Sequence, residues 1–311
     1  MGKHVSVLLD EAISLLNVKD GGIYADLTLG RGGHSSAILS KIPHGHLYSF
    51  DLDEEAIEES RPRLEKIGSN FTLIHSNFAF AKEQLAERGI THLDGVLMDL
   101  GVSSPQFDEG DRGFSYRSDG PLDMRMDQSA SKSAATIVNS YPYEDLVRIF
   151  ARYGEDPDSK AVAKTICKER EIAPIKTTFE LVELIKKSKP AWRLRQKGHP
   201  AKQIFQALRI ETNGELDNLE KALKDIPDLL NVGGRFVIIS FQSLEDRLVK
   251  DSFRALSEVE GTRFGPEAMK IDNGAKFISL TRHPILPTEQ EQEENHRSKS
   301  AKLRAVERKE D

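Results

Sequence analysis

Apolar runs of strand length alternate with helix-period stretches through the first third of the chain. Ile23-Tyr24-Ala25, His46-Leu47-Tyr48-Ser49-Phe50, Phe71-Thr72-Leu73-Ile74-His75 and Leu93-Asp94-Gly95-Val96-Leu97-Met98 each read as a strand, and the charged stretch Glu54 to Lys66 reads as a helix. That rhythm predicts βαβ units and a mostly parallel sheet. It stops after Asp99. Residues 105–130 hold Gly, Asp, Ser, Arg and Pro with little periodicity, which predicts a long functional loop. Helical patterns follow at Ser133 to Asn139, Tyr143 to Tyr153, Ser159 to Arg170 and Thr178 to Ser188, and predict a compact helical insert. A long amphipathic helix from Gln203 and the strand Arg235 to Ser240 then resume the sheet. Lys276 to Thr281 reads as its final strand, in a late antiparallel hairpin.

The residues that close the strands carry the candidate chemistry. Asp26-Leu27-Thr28-Leu29-Gly30-Arg31-Gly32-Gly33-His34-Ser35 reads as a strand end, a glycine turn and a helix start, the arrangement that holds a nucleotide-like cofactor. Asp51 closes the second strand about 20 residues later, where a carboxylate accepts hydrogen bonds from ribose hydroxyls. Asp53 is the rival acid, and its place before a charged helix fits a helix N-terminal charge better. Ser35 stands where a dinucleotide fingerprint wants glycine, and no G-x-x-x-x-G-K-[ST] occurs. S-adenosylmethionine, with a ribose and adenine but no phosphate, fits better than a nicotinamide cofactor. Because ligands of parallel sheets sit beyond the carboxyl ends of the strands, Asp26, Asp51, Phe78 and Asp99 are expected to meet in one crevice. Phe78 suits packing under a loop as well as contact with adenine.

Several blocks in one order extend this reading. Gly30-Arg31-Gly32-Gly33-His34-Ser35, Asp99-Leu100-Gly101-Val102-Ser103-Ser104-Pro105-Gln106, Arg112-Gly113-Phe114-Ser115, Gly120-Pro121-Leu122-Asp123-Met124-Arg125-Met126, Phe205-Gln206-Ala207-Leu208-Arg209-Ile210 and Ser240-Phe241-Gln242-Ser243-Leu244-Glu245-Asp246-Arg247 resemble the bacterial 16S ribosomal RNA (cytosine-N4)-methyltransferases. The resemblance runs from about residue 4 to the C-terminal tail. It implies a class I S-adenosylmethionine-dependent, Rossmann-like α/β sheet with an inserted all-helical domain. The implied segments are methyltransferase parts at 1–104 and 203–287, a loop plus helical RNA-recognition insert at 105–202, and a charged tail at 288–311. The implied reaction is N4-methylation of cytosine 1402 of small-subunit RNA near the ribosomal P site. Its implied cofactor contacts are Gly32, Gly33, His34, Asp51, Phe78, Asp99 and Gln106. The chain departs from the family pattern at Gln242, where histidine is usual, and at Gln203, His296 and Lys299.

Amino-group methyltransferases often carry a [DNS]-P-P-[YFW] loop of hydrogen-bond acceptors. Here Asp99-Leu100-Gly101-Val102 stands in that place, so Asp99 is the candidate acceptor or cofactor anchor, with Ser103, Ser104 and Pro105 shaping the pocket. No covalent step is expected. The single cysteine, Cys167, lies in a helical pattern far from the crevice strands and reads as a structural thiol, and the nine histidines show no metal spacing.

The 311 residues are 38% hydrophobic, enough for one large or two ordinary domains, and no apolar run or leader pattern points away from a cytoplasmic enzyme. The net charge of -6 argues against nucleic acid until its distribution is considered. Lys186 to Lys202 contains no acid and holds the only tryptophan. Lys187, Trp192, Arg193, Arg195, Lys197 and Lys202, with Arg112 and Arg125 from the loop, are the candidate RNA contacts. The loop, with Phe114 and Tyr116, is expected to receive the target base. A solvated linker anchored by Trp192 is the alternative. A second basic run, Arg297 to Lys309, is expected to be mobile. The partner is the 16S RNA of the small subunit, with no membrane and a homodimer left open.

Overall fold

The computed structural model describes residues 6–100, 112–258 and 275–309. Contacts divide the chain into two compact units, Met1–Gly101 with Asp217–Asp311, and Val102–Leu216. The first unit opens with α1 (Leu9–Leu16), β1 (Ile23–Asp26), α2 (Gly33–Leu39), β2 (His46–Asp51), α3 (Glu54–Glu65), β3 (Phe71–His75), α4 (Ala81–Ala86) and β4 (Leu93–Asp99). Asp53 caps α3 by accepting the Glu55 N–H at 3.1 Å, so its role is the local one the sequence favours.

The second unit is helical: α5 (Ala134–Ser140), α6 (Tyr143–Arg152), α7 (Ser159–Arg170), α8 (Thr178–Ser188), the single turn α9 (Ala191–Leu194) and α10 (Lys202–Asn213). A reciprocal capping box starts α8, with the Glu180 N–H donating to Thr177 Oγ1 and the Thr177 N–H to the Glu180 carboxylate. Leu146, Ile149 and Phe150 bury one face of α6, which packs on α7 and α10. Gly214, at φ +61°, breaks the long helical pattern into α10 and α11 (Glu215–Asp225). The chain then completes the sheet with β5 (Leu230–Ser240), α12 (Ser243–Ser257), β6 (Phe277–Ser279), α13 (Glu289–Glu294) and β7 (Lys302–Arg308).

The seven strands lie in the order β3-β2-β1-β4-β5-β7-β6. The first five are parallel, and β7 runs antiparallel between β5 and β6. This is the expected Rossmann-like, mostly parallel α/β sheet with a late antiparallel element. Successive residues face opposite sides. Val96, Met98, Phe236 and Ile238 pack with Leu219 and Leu223 of α11 and Phe253 of α12 on one side, and Leu97, Val237 and Ile239 pack with Leu16 of α1 and Ile38 of α2 on the other. The register sets Asp26 beside Leu97, Asp51 beside His75 and Asp99 beside Ile239, which aligns the carboxyl ends along one edge.

Two expectations change. The helix from residue 202 packs on α5 and α6 through Ile204, Phe205, Ala207 and Leu208, so α10 belongs to the helical unit and the return to the sheet unit comes at Asp217. The segment expected as a mobile basic tail supplies β7, and the strand expected last is the edge strand β6. Buried Leu303, Ala305 and Val306 account for this, together with charge neutralisation. The Asp246 carboxylate takes Arg304 Nε at 2.7 Å and Lys302 Nζ at 3.3 Å, and Arg235 meets Glu307 at 2.6 Å. No helix of the described residues is long and apolar enough to cross a membrane.

Candidate active site

The turn after β1 is held from beneath by Asp26, which is completely buried. Its carboxylate accepts Ser35 Oγ–H at 2.6 Å and the Thr28 N–H at 3.1 Å, and Ser35 Oγ also lies 2.8 Å from Ser49 Oγ of β2. Thr28 Oγ1 in turn accepts the Asp99 N–H at 2.6 Å, tying β1 to β4. Asp26 is therefore a strut below the crevice. Burial pushes its pKa up to about 6, and the nearby Asp51 charge adds to the rise. Gly30 and Gly32 take φ of +49° and +73°, conformations that L side chains resist. Gly33 is glycine for another reason: a Cβ there would lie 1.9 Å from Ser6 Oγ, so it is the chain's own N-terminal segment that comes close.

Asp51 and Asp99 stand at the strand ends themselves. Asp51 accepts the N–H of Gly30 at 2.8 Å on one oxygen and that of Asp53 at 2.9 Å on the other. A carboxylate has about four lone-pair directions, so Asp51 keeps capacity for a hydroxyl donor beside these backbone bonds. Burial raises the Asp51 pKa against these backbone bonds. Asp99 is raised well above the ordinary carboxylate range by burial first, then by the charges of Asp26 and Glu245. His34 is buried, with Nε2 3.2 Å from the Val7 carbonyl and Nδ1 3.6 Å from Asp99 Oδ2. A carbonyl only accepts, so Nε2 carries the ring hydrogen. Burial lowers the His34 pKa to about 4, so the ring meets Asp99 as a neutral imidazole.

Glu245, at the start of α12, was not singled out in the sequence as a site residue. It is buried, accepts the N–H of Phe241 at 2.9 Å and of Gln242 at 3.1 Å, and fixes the turn leaving β5. Its position three residues after Gln242 is the legible signal, that of a helix-start carboxylate. Gln242 Oε1 is buried with no hydrogen-bond partner among the described residues. Phe78 opens a 3₁₀ turn after β3 and is half-buried against the core, which accounts for packing and leaves part of its ring accessible. Gln106, Ser103, Ser104 and Pro105 lie outside the described residues. Of the expected site residues, the structure brings His34, Asp51 and Asp99 together at the carboxyl ends of the sheet beside the glycine turn, with Asp26 and Glu245 packed close to them.

In the helical unit the candidate RNA contacts separate into engaged and available groups. Arg112 is buried and donates to the carbonyls of Arg125 and Met126. Arg125 grips Asp123 with two nitrogens, at 2.8 and 2.6 Å, and the Ala130 carbonyl with a third. Both hold the 112–130 segment together, Arg112 as a buried side chain and Arg125 as a partly exposed one. Phe114 is buried as well. Lys187 pairs with Glu169 at 2.7 Å, and Arg193 pairs with Asp158 at 2.9 Å while stacking 4.3 Å above Trp192, which is 57% exposed. Lys189 is buried against Asp156. Arg195, Lys197 and Lys202 are exposed and have no carboxylate partner among the described residues. Cys167 lies half-buried on α7, in this unit and not among the strand ends. The described residues contain no group of three or more metal-ligating side chains.

Comparisons with known proteins bear on this arrangement. Residues 1–309 match the MraW methylase family. The chain is 52% identical over 309 residues to the ribosomal RNA small subunit methyltransferase H of Lactiplantibacillus plantarum, covering 98% of this chain and 97% of that protein. Similar solved structures include an rRNA methylase from Streptococcus thermophilus, at a TM-score of 0.42, 13% identity and 99% of both chains. Another is precorrin 8w decarboxylase from Methanobacterium thermoautotrophicum, at 0.42, 10% identity, and 99% and 92% of the two chains. Likeness at that level does not tell one acceptor from another. The match along almost the entire sequence, with the strand-end carboxyls and glycine turn in place, makes this chain a member of the MraW methylase family.

Proposed function

We propose that the protein transfers a methyl group from S-adenosylmethionine to N4 of one cytosine of 16S ribosomal RNA, position 1402 near the P site of the small subunit. The observation that carries this reading is the 52% identity, over nearly the whole of both chains, to a small-subunit ribosomal RNA methyltransferase. The donor set supports the cofactor. Asp51 and Asp99 line the strand ends, Asp26 lies beneath them, and none of the three pairs with a lysine or arginine among the described residues. An acidic crevice of this kind suits a cationic sulfonium and opposes a pyrophosphate.

Bound S-adenosylmethionine supplies a methyl group already activated for transfer. The protein's tasks are alignment and exclusion of water. Asp51 offers its remaining acceptor capacity to the ribose hydroxyls, and Gly32 lets the backbone turn toward the amino-acid portion. Phe78 offers its accessible ring edge to adenine, and Gln106 completes the contact set. Cytosine N4 is a weak nucleophile because its lone pair is delocalised into the ring. Asp99 serves as hydrogen-bond acceptor against its N–H, favouring pyramidalisation and receiving the proton lost after transfer. Glu245 and Asp26 keep the Asp99 carboxyl basic enough for that role. The target base must leave its stack to reach a donor held this way. Trp192 and the exposed Arg195, Lys197 and Lys202 hold the flanking RNA, with Lys187 and Arg193 joining by exchanging their carboxylate partners for phosphate.

Incubating purified protein with isotopically methyl-labelled S-adenosylmethionine and small subunits lacking the modification tests the reading. Label recovered as N4-methylcytidine from the decoding-site fragment supports it. Label in 5-methylcytidine, in DNA alone or in no nucleic acid would overturn it.

A further inference from the structure

The helical unit carries a second recognition feature, built from two segments distant in sequence. The imidazole of His199 stacks on the ring of Tyr116, with centroids 4.4 Å apart and planes within 17°. Tyr116 is steadied from another side by Phe205 of α10, edge-on at 5.7 Å and nearly buried. Both rings are therefore fixed, and Tyr116 has less free face than a base-stacking role asks for. The Ala201 N–H donates to His199 Nδ1 at 3.2 Å. The ring hydrogen is consequently on Nε2, where it meets no protein acceptor among the described residues. His199 is half-buried, so that donor is held in place yet reachable.

The surroundings are positive. Arg117 is exposed, lies 5.9 Å from the Tyr116 ring centre and has no carboxylate partner among the described residues. The charge of Lys186, on α8, acts on the imidazole; its contact with Glu183 at 2.8 Å is an exposed i,i+3 pair of the kind that exchanges readily for a better anion. Asp119, the nearest acid in sequence to Arg117, is turned to the start of α8, accepting the N–H of Phe179 and Gly120. Burial first, then the charges of Lys186 and Arg117, hold the His199 pKa below its ordinary value, so the ring is a neutral donor at physiological pH.

We propose that His199 Nε2–H, Arg117 and Lys186, set on the Tyr116 platform, form a receptor for one phosphodiester of single-stranded RNA. A phosphate takes a guanidinium, an ammonium and a neutral N–H together, each as a charge-assisted bond. Exposed Arg195, Lys197 and Lys202 continue the basic track on the same stretch of chain as His199, which favours a polyanion over a single small anion. This inference rests on the reading of the helical unit as the RNA-binding part, and it adds a contact that the Lys186–Lys202 run alone does not reveal.

The test measures binding of the full-length protein to a short fluorescein-labelled single-stranded RNA of decoding-site sequence, across a salt series. His199→Phe keeps a ring on Tyr116 and removes the donor; it is expected to weaken binding about fivefold, the size of one hydrogen bond, with the salt slope unchanged. Arg117→Gln, on an exposed side chain, is expected to reduce the slope of log affinity against log salt by about 0.7. Unchanged melting temperatures establish that both variants fold. Wild-type affinity and slope in both variants would overturn this inference alone. Failure of the wild-type protein to bind the RNA would overturn the reading of the helical unit, and this inference with it.

Discussion

His34 Nδ1 and Asp99 Oδ2 face each other at 3.6 Å at the carboxyl ends of the sheet, where burial holds the histidine pKa down and the aspartate pKa up. In water such a pair would exchange a proton to become ions. Here burial lowers the histidine to about 4 and raises the aspartate, so both shifts oppose that exchange. The charges of Asp26 and Glu245 add to the rise at Asp99.

The first consequence concerns the methyl donor. A sulfonium brought to this crevice favours the ionised form of Asp99, so donor binding is expected to expel a proton and to tighten as pH rises. S-adenosylhomocysteine, which lacks the sulfonium charge, is expected to show a shallower dependence. Calorimetry in buffers of different ionisation enthalpy measures the proton count directly, and Asp99→Asn is expected to remove most of it. Equal pH slopes for the two ligands would contradict the assignment.

Stability carries the same signs without any ligand. The folded pKa of Asp26 is about 6, above its ordinary 3.8, so its contribution is most favourable below pH 4 and declines by ~3 kcal/mol as pH rises through 6. For His34, lowered from 6.5 to about 4, the contribution is present above pH 6.5 and declines by a similar ~3 kcal/mol as pH falls through 4. Denaturant unfolding of Asp26→Asn and His34→Gln at pH 5 and 7.5 is expected to give differences from the parent protein that slope in opposite directions. Parallel curves would refute the electrostatic account of this pair.

Gly33 separates packing from cofactor contact. Gly33→Ala places a methyl 1.9 Å from Ser6 Oγ and is expected to cost about 2 kcal/mol of stability. Ser6→Gly in the same chain removes the colliding side chain and is expected to restore both melting temperature and donor affinity. If stability returns and affinity does not, Gly33 meets the cofactor directly.

The basic run is expected to divide by function. Lys189 forms a buried pair with Asp156, so Lys189→Met leaves a buried carboxylate alone and is expected to lower stability by about 3 kcal/mol or more. Lys197→Gln, at an exposed position, is expected to leave stability within about 0.5 kcal/mol and to weaken RNA binding instead. Unfolding and RNA-binding curves of the two variants would show the division or its absence.

Much of this arrangement was legible. The strands that end in Asp26, Asp51 and Asp99 stood out because a parallel strand buried on both faces is a continuous apolar run closed by polar residues. α7 and α8 have the bounds their periodicity and flanking residues predict. Other features depend on partners remote in sequence. The charges of β7 read as a tail because nothing local shows that Asp246 neutralises Arg304 and Lys302. Arg112 and Arg125 read as free cations because their acceptors are backbone carbonyls and Asp123, in a segment without periodicity. The close approach of Ser6 Oγ to Gly33 was not legible, because Ser6 stands 27 positions away in the sequence.

Nucleoside mass spectrometry of small-subunit RNA tests the central claim most directly, using cells with the gene, without it, and complemented by the wild-type or Asp99→Asn protein. The account predicts an N4-methylated cytidine at the decoding site that disappears with the gene, returns with the wild-type protein and fails to return at normal stoichiometry with Asp99→Asn. An identical nucleoside profile in all four strains would contradict it.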